Sequence, residues 1–282
     1  MRCIIDADIF RYQFGNIQMR HPFLEGEFVP ASNDYVASLI EGMVNEIREA
    51  TNFDEYIMPI SGKGNFRHQI AKQQPYKGNR DHVKVERPHH YDFIGNYIIE
   101  NHPCVVINDM EADDWCGIEQ RKDLENTVVA FRDKDFYTFP GYHYRFSCGK
   151  AQPAVPMHWV SQEEANNFFF YQMLIGDNTD NIMGCGKKEW VKWGKTKIEC
   201  YNGNVIEYPH WMKRRKGVGE KTAKKLLAGI TDAQVMYETV RKEYQVVYGD
   251  DCDEVMLEMA RLLFIGQEPD HLFEWKWLNI VQ

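Results

Sequence analysis

The sequence predicts an α/β protein, with a parallel sheet and crossover helices in residues 1–160 and a mainly helical region in residues 161–282. Three observations carry the prediction. Short runs rich in Ile and Val alternate with a helical period in the first half. Those runs end in polar, mostly acidic residues, and from Ser161 onward the apolar spacing turns helical.

The strands expected are "RCIID" (2–6), "EYIMPIS" (55–61), "CVVIN" (104–108) and "NTVVAFR" (126–132). Between the first two, "DYVASLIEGMVNEIREA" spaces Val36, Leu39, Ile40, Met43, Val44 and Ile47 as one helical face, which makes it a crossover helix. "SQEEANNFFFYQMLIG" opens with Ser161 three residues before Glu164, a capping box, and predicts a helix to about Ile175 whose Phe168, Phe169, Phe170 and Tyr171 serve the core. An amphipathic stretch follows at 232–247. Within "KTKIECYNGNVIEY", two strand-like runs flank Asn202-Gly203, a strong hairpin signal.

A chain of 282 residues with 44% hydrophobic content can bury a sizeable core. Its seven cysteines are scattered and form no CxxC pair, so neither a disulfide framework nor a thiolate zinc site is signalled; Cys185, Cys200 and His210 fit no standard zinc spacing. The N-terminus shows no signal-peptide core, and no apolar run of about 18 residues occurs. The expectation is a cytoplasmic protein (host cytoplasm for a viral source) with no membrane partner.

A net charge of -9 argues against a polyanionic partner, but its distribution argues for one. Between Cys185 and Lys225 stand twelve Lys and Arg against four Glu.

Acids gather where the strands end. Asp6 and Asp8 follow the first, Glu111, Asp113 and Asp114 the third, Asp133 and Asp135 the fourth, and "IGDNTDNIMG" adds Asp177 and Asp180 after the Ser161 helix. In open parallel sheets ligands sit outside the carboxyl ends of the strands. One such Asp is ordinarily a helix cap or turn former. This many in one cleft would repel one another unless cations neutralise them, and all-oxygen ligation selects Mg²⁺ or Mn²⁺. The corresponding chemistry is phosphoryl transfer. On a regular helix Glu111 and Asp114 share a face and Asp113 does not, so which acids converge depends on where that helix begins.

Two basic segments complement the acids. "NFRHQIAKQQPYKGNR" holds Arg67, Lys72, Tyr76, Lys77 and Arg80; if helical, it projects Lys77 and Arg80 from one side, unless it is simply a solvated basic surface. "KRRKGVGEKTAKKLLAG" leads a Gly-x-Gly turn into a helix, presenting N–H groups to an anion beside Lys221, Lys224 and Lys225, the device of a helix-hairpin-helix that grips DNA phosphates.

With "IIDADIFRY", "NFRHQIAKQQPYKGNR", "EADDW", "FRDKDFYTF", "IGDNTDNIMG" and "KGVGEKTAKKLL" in this order across residues 4–229, the sequence resembles the flap endonuclease and 5′→3′ exonuclease superfamily, including the small bacteriophage exonucleases and the 5′-nuclease domains of bacterial DNA polymerases. The resemblance implies a Rossmann-like (PIN-like) nuclease core, a helical arch at about 62–100 and a helix-3-turn-helix DNA-binding region at about 176–230. It implies two Mg²⁺ or Mn²⁺ ions held by Asp6, Glu111, Asp113, Asp114, Asp133, Asp135, Asp177 and Asp180. Catalytic roles fall to Asp6, Asp135, Lys77 and Arg80. Arg67, Tyr76, Lys77, Arg80, Lys216, Gly217, Val218, Gly219, Lys221, Thr222, Lys224 and Lys225 are the implied DNA contacts, with a K⁺ ion at the Gly217–Gly219 turn. The implied substrate is DNA with a 5′ single-stranded end or flap, RNA–DNA hybrids included, in replication and alongside replication proteins.

Two departures stand out. The family's Asp at the end of the second strand is Ile60 or Ser61 here, with Asp8 the candidate to compensate. A basic insertion at 185–215, bearing Trp190, Trp193 and Trp211, separates the GDxxDN turn from the Gly-x-Gly turn and is expected to contact DNA. The rival readings are a PIN-type ribonuclease, disfavoured by the GVGEKTAKKLL segment, and a DNA-binding protein weakened in catalysis, disfavoured by the acids retained.

Overall fold

A computed structural model of the chain describes residues 1–80, 86–149, 151–199 and 205–282, with the backbone alone for most of 187–216. Its central strand, β1 (Arg2–Ile5), is apolar on both faces: Cys3 and Ile5 enter one core, Ile4 the other. β4 (Glu55–Ser61) and β6 (Thr127–Phe131) flank it in parallel, β5 (Cys104–Ile107) lies outside β4, and β7 (Gly141–Arg145) lies parallel outside β6. β8 (Val155–Val160) closes that edge antiparallel, giving the order β5-β4-β1-β6-β7-β8. A small hairpin of β2 (Gln18–Arg20) and β3 (Phe28–Pro30) follows the first helix.

One face of the sheet is covered by α1 (Asp8–Gln13), α2 (Asn33–Thr51) and α4 (Tyr91–Asn101), which bury Phe10, Val36, Ile40, Ile47, Ile94 and Ile98 against Cys3, Ile5, Val128 and Ala130. On the other face α5 (Ala112–Lys122) packs Cys116 with Ile4, Val129, Phe131 and Ile265. Residues alternating along β6 thus serve two cores, as the period of a strand requires.

α6 (Gln162–Ile175) carries the expected capping box, with Ser161 Oγ accepting the Glu164 N–H and Glu164 accepting the Ser161 N–H. It packs with α7 (Glu220–Leu227), α8 (Ala233–Tyr248) and α9 (Cys252–Leu263) around Phe169, Phe170, Met173, Tyr244 and Met259. Between α6 and α7, β9 (Gly186–Glu199) and β10 (Val205–Gly217) pair as an antiparallel ribbon whose register shifts once, between His210 and Trp211. The expected Asn202-Gly203 turn lies outside the described residues. At the root of the ribbon Gly186 pairs with Gly217, and the Val218 N–H donates to the Cys185 carbonyl at 3.2 Å, so the insertion leaves and rejoins the fold at one point. A Cβ on Gly217 would lie 2.0 Å from that carbonyl, which is why only glycine fits there.

The β2–β3 hairpin, two strands of the main sheet and the segment after β4 differ from the sequence-based expectation. β7 and β8 extend the sheet beyond the four strands anticipated, because aromatic and His side chains replace Ile and Val in "GYHYR", and Pro156 is tolerated on the β8 edge. Segment 62–80, expected in a helical arch, carries α3 (Arg67–Ile70) and a 3₁₀ turn at Gly78–Arg80; residues 81–85 lie outside the described residues. Among the described residues no helix is long and apolar enough to cross a membrane.

Candidate active site

The carboxyl ends of β1, β4 and β6 open into a cleft of about 660 Å³ lined by Asp6, Asp8, Ser61, Lys77, Arg80, Glu111, Asp113, Asp133, Lys134, Asp135, Asp177 and Asp180. Chain reversal at β1, with β4 on one side and β6 on the other, places the cleft at the switch point where α/β sheets bind ligands.

Asp6 follows β1 directly and is only 8% exposed. Burial, then the charges of Asp8 and Asp133, pushes its carboxyl up to about 8. Asp8 opens α1 and reaches sideways, its Oδ2 accepting the Ser61 N–H at 2.9 Å while Arg11 stands 3.3 Å from Oδ1. A carboxylate from the start of α1 thereby covers the end of β4, where the resemblance implies an acid on β4 itself. Ile60 is in the core, and Ser61 Oγ accepts the Ala112 N–H at 3.0 Å, satisfying an orphan donor at the start of α5.

The acids after β5 separate. Glu111 has extended backbone (φ -83°, ψ 154°) and the helix begins at Ala112, so the helical relation of Glu111 to Asp114 does not apply. Glu111 and Asp113 line the cleft; Asp114 points into the protein. Fully buried, Asp114 accepts from Arg67 Nη2 at 2.9 Å and the Gly266 N–H at 3.0 Å, pairing also with Arg67 Nη1, while Arg67 donates to the Leu262 and Phe264 carbonyls. Neither residue holds the role expected from sequence. Arg67, 1% exposed, cannot reach DNA, and Asp114 is not part of the cleft; together they tie α5 to the C-terminal chain.

Tyr76 is likewise no exposed stacking ring. It is 3% exposed, with its hydroxyl 2.7 Å from Glu111 and 2.8 Å from Asp180. Burial, then the Glu111 charge, pushes the phenol well above its usual value. Lys77 takes a left-handed backbone (φ 56°), so it and Arg80 meet the cleft from a turn and not from one helix face. Lys77 pairs with Glu111, and Arg80 reaches Asp180 at 2.8 Å. Burial would raise Glu111, but Lys77 and Arg67 outweigh it and hold the carboxyl at about 2.

After β6, Asp133 accepts the Asp135 N–H at 3.0 Å and so shapes the 3₁₀ turn Lys134–Thr138. Burial, then Asp133, pushes Asp135 up to about 6. Lys134, which the sequence reading passed over although it sits between these acids, bridges Asp135 at 2.7 Å and Asp177. Gln172 on α6, also unforeseen, donates to Asp135 at 2.5 Å.

The turn after α6 brings Asp177 and Asp180 to the opposite wall. Asp177 Oδ1 accepts the N–H groups of Thr179 (2.6 Å) and Asp180 (3.3 Å), and the Asp177 and Ile182 backbones pair reciprocally. A Cβ on Gly184 (φ 60°) would lie 2.3 Å from the Gly176 nitrogen, so glycine there lets the returning chain pass against the end of α6. Burial opposes ionisation of Asp177, but Lys134 and these N–H groups prevail and hold it below the usual range.

Lys221, Thr222, Lys224 and Lys225 are exposed on α7, which Gly219 caps, and Val218 packs against the C-terminal core. The Lys216 side chain lies outside the described residues.

Seven of the eight acids assigned from sequence therefore meet in one cleft, with Asp8 added and Asp114 removed. No ion pair reaches Asp6, Asp113 or Asp133 among the described residues, although burial, then neighbouring carboxylates, pushes Asp6 and Asp113 up. A hard divalent cation suits that donor set: oxygen ligands, repelling charges and, among the described residues, no imidazole on the cleft wall. As the side chains stand, no three acidic, His or Cys groups among the described residues converge on one point; two lysines hold the acids apart in pairs.

No protein-family model matches the chain, and no curated protein matches it in sequence. Solved structures do. Human GEN1 in complex with Holliday junction DNA is similar at 12% identity and a TM-score of 0.51, over 97% of this chain and 62% of that one. T5 5′-exonuclease with bound zinc has a TM-score of 0.49 at 13% identity (94% of this chain, 100% of that one), and the catalytic core of Rad2 with DNA substrate 0.46 at 15% identity (95% and 75%). The GEN1 likeness is one of fold alone: a mixed α/β architecture built on a central, mainly parallel six-stranded sheet.

Proposed function

We propose that this protein is a divalent-metal-dependent nuclease that hydrolyses phosphodiesters of DNA from or near a 5′ end, as a 5′→3′ exonuclease and flap endonuclease, with RNA in RNA–DNA hybrids as a second substrate. One observation carries the reading: Asp6, Asp113 and Asp133, which have no ion-pair partner among the described residues, share a cleft with Lys77 and Arg80. Asp6, Asp8, Glu111, Asp113, Asp133, Asp135, Asp177 and Asp180 would hold two Mg²⁺ or Mn²⁺ ions. Bound there, such ions supply Lewis-acid charge that lowers the pKa of a water and offsets charge on the leaving oxygen.

The chain's own groups do the rest. Lys77 and Arg80 exchange Glu111 and Asp180 for oxygens of the scissile phosphate, stabilising the charge that develops there. Tyr76 holds Glu111 and Asp180 in register, so the two basic side chains arrive together. Ser61 and Asp8 fix the end of β4 against α5. The exposed lysines of α7 engage the duplex backbone without reading bases, and carbonyls of the Gly217–Gly219 turn offer a K⁺ site.

Asp135→Asn tests the reading. It removes a central acid while keeping the Gln172 contact sterically possible, so turnover should fall by at least about a thousandfold with DNA affinity in EDTA within about threefold of wild type. Robust cleavage by that variant would mean the chemistry lies elsewhere.

A further inference from the structure

We propose that Arg132 and Arg145 form a phosphate subsite at the β6–β7 end of the cleft, binding a backbone phosphate of the nucleic acid other than the one cut; this rests on the nuclease reading above. Among the described residues five cations line the cleft. Three are neutralised within it: Lys77 by Glu111, Arg80 by Asp180, and Lys134 by Asp135 and Asp177. The other two are not. Among the described residues no carboxylate pairs with Arg132 or Arg145.

Arg132, 7% exposed, is fixed by donating to the Phe146 carbonyl and to Gln152 Oε1 at 2.5 Å. Arg145 is partly buried, and its Nε is shielded from solvent with no acceptor. Phe131 pairs with Arg145 across β6 and β7, which sets the two guanidiniums on adjoining strand ends. Two like charges held together in a protein wall with an unmet donor are costly unless an anion joins them. A purely structural role accounts for Arg132, which satisfies the Phe146 carbonyl, but not for the unmet donor of Arg145.

The ligand class follows from shape and place. A guanidinium fork matches the paired oxygens of a phosphodiester. Arg145 ends β7, four strand spacings or about 19 Å from β5, the strand that leads to Glu111 and its Lys77, and Arg132 follows β6, three spacings or about 14 Å away, so the arginines meet a different phosphate from Lys77. They act as positioning residues for the strand that runs across the acids.

Binding of a labelled 5′-flap duplex in EDTA at several salt concentrations, with steady-state cleavage in Mg²⁺, tests this for wild type, Arg145→Ala, Arg145→Gln and Arg145→Lys. Both neutral variants should bind about tenfold more weakly, lose about 0.7 to 0.9 from the slope of log K against log salt, and raise KM with kcat largely kept. Arg145→Lys should restore most of the slope. Unchanged affinity and slope in folded neutral variants, with normal wild-type binding and cleavage, would overturn the subsite alone. Failure of wild type to bind or cleave would overturn the nuclease reading and the subsite with it.

Discussion

Asp6→Asn should make the metal-free protein more stable while destroying its function. Burial and the charges of Asp8 and Asp133 push the Asp6 carboxyl up to about 8, against 3.8 for the ordinary group. At pH 7 the unfolded chain ionises this carboxyl and the folded chain holds its proton, so folding bears about 4 kcal/mol that a neutral amide of the same shape avoids. At about 2 °C per kcal/mol for a chain of this size, Tm should rise by about 8 °C. The sign fixes the pH window. An acid raised on folding contributes stability below pH 3.8 and loses it as pH climbs to about 8, so the gap between variant and wild type should be widest at pH 8 and vanish below pH 4. Mg²⁺ binds the ionised carboxylate and should stabilise wild type more than the variant. Differential scanning calorimetry in EDTA at pH 4, 6 and 8, then in Mg²⁺, measures all of this. A variant no more stable than wild type in EDTA, or a gap independent of pH, would refute the reasoning.

Two other perturbations separate structural from functional roles. Arg67→Ala strands the fully buried Asp114 carboxylate and should cost about 3 to 5 kcal/mol of stability by denaturant titration, with catalysis per folded molecule retained; loss of catalysis in a stable variant would mean that Arg67 touches substrate. Deleting 187–216, which the Gly186–Gly217 pairing allows to be rejoined, should flatten the salt dependence of DNA affinity by several phosphate contacts; identical affinity at all salt concentrations would show that the ribbon does not contact DNA.

The parts of the site legible in the sequence are those fixed by local pattern. Asp6, Asp133 and Asp135 follow Ile- and Val-rich strands, and the period of α2 and the capping box of α6 are written in adjacent residues. What was misread depends on phase or on distant partners. Asp113 and Asp114 are neighbours in sequence but point into different environments, because a one-residue shift in the start of α5 rotates each by about 100°. Arg67 looks like a surface cation until Asp114, 47 residues away, encloses it. Tyr76 and Lys77 would project outward from a helix, but the left-handed backbone at Lys77 turns them onto Glu111. Arg145 had no signal at all, since it ends a strand that carries none of the usual aliphatic residues.

The central claim is tested most directly by incubating the protein with a 5′-end-labelled flap duplex, a blunt duplex and an RNA–DNA hybrid, each in Mg²⁺, Mn²⁺ and EDTA. The account predicts release of short 5′ products from the flap duplex in either metal and none in EDTA. Cleavage that persists in EDTA, or tight binding with no cleavage in either metal, would contradict it.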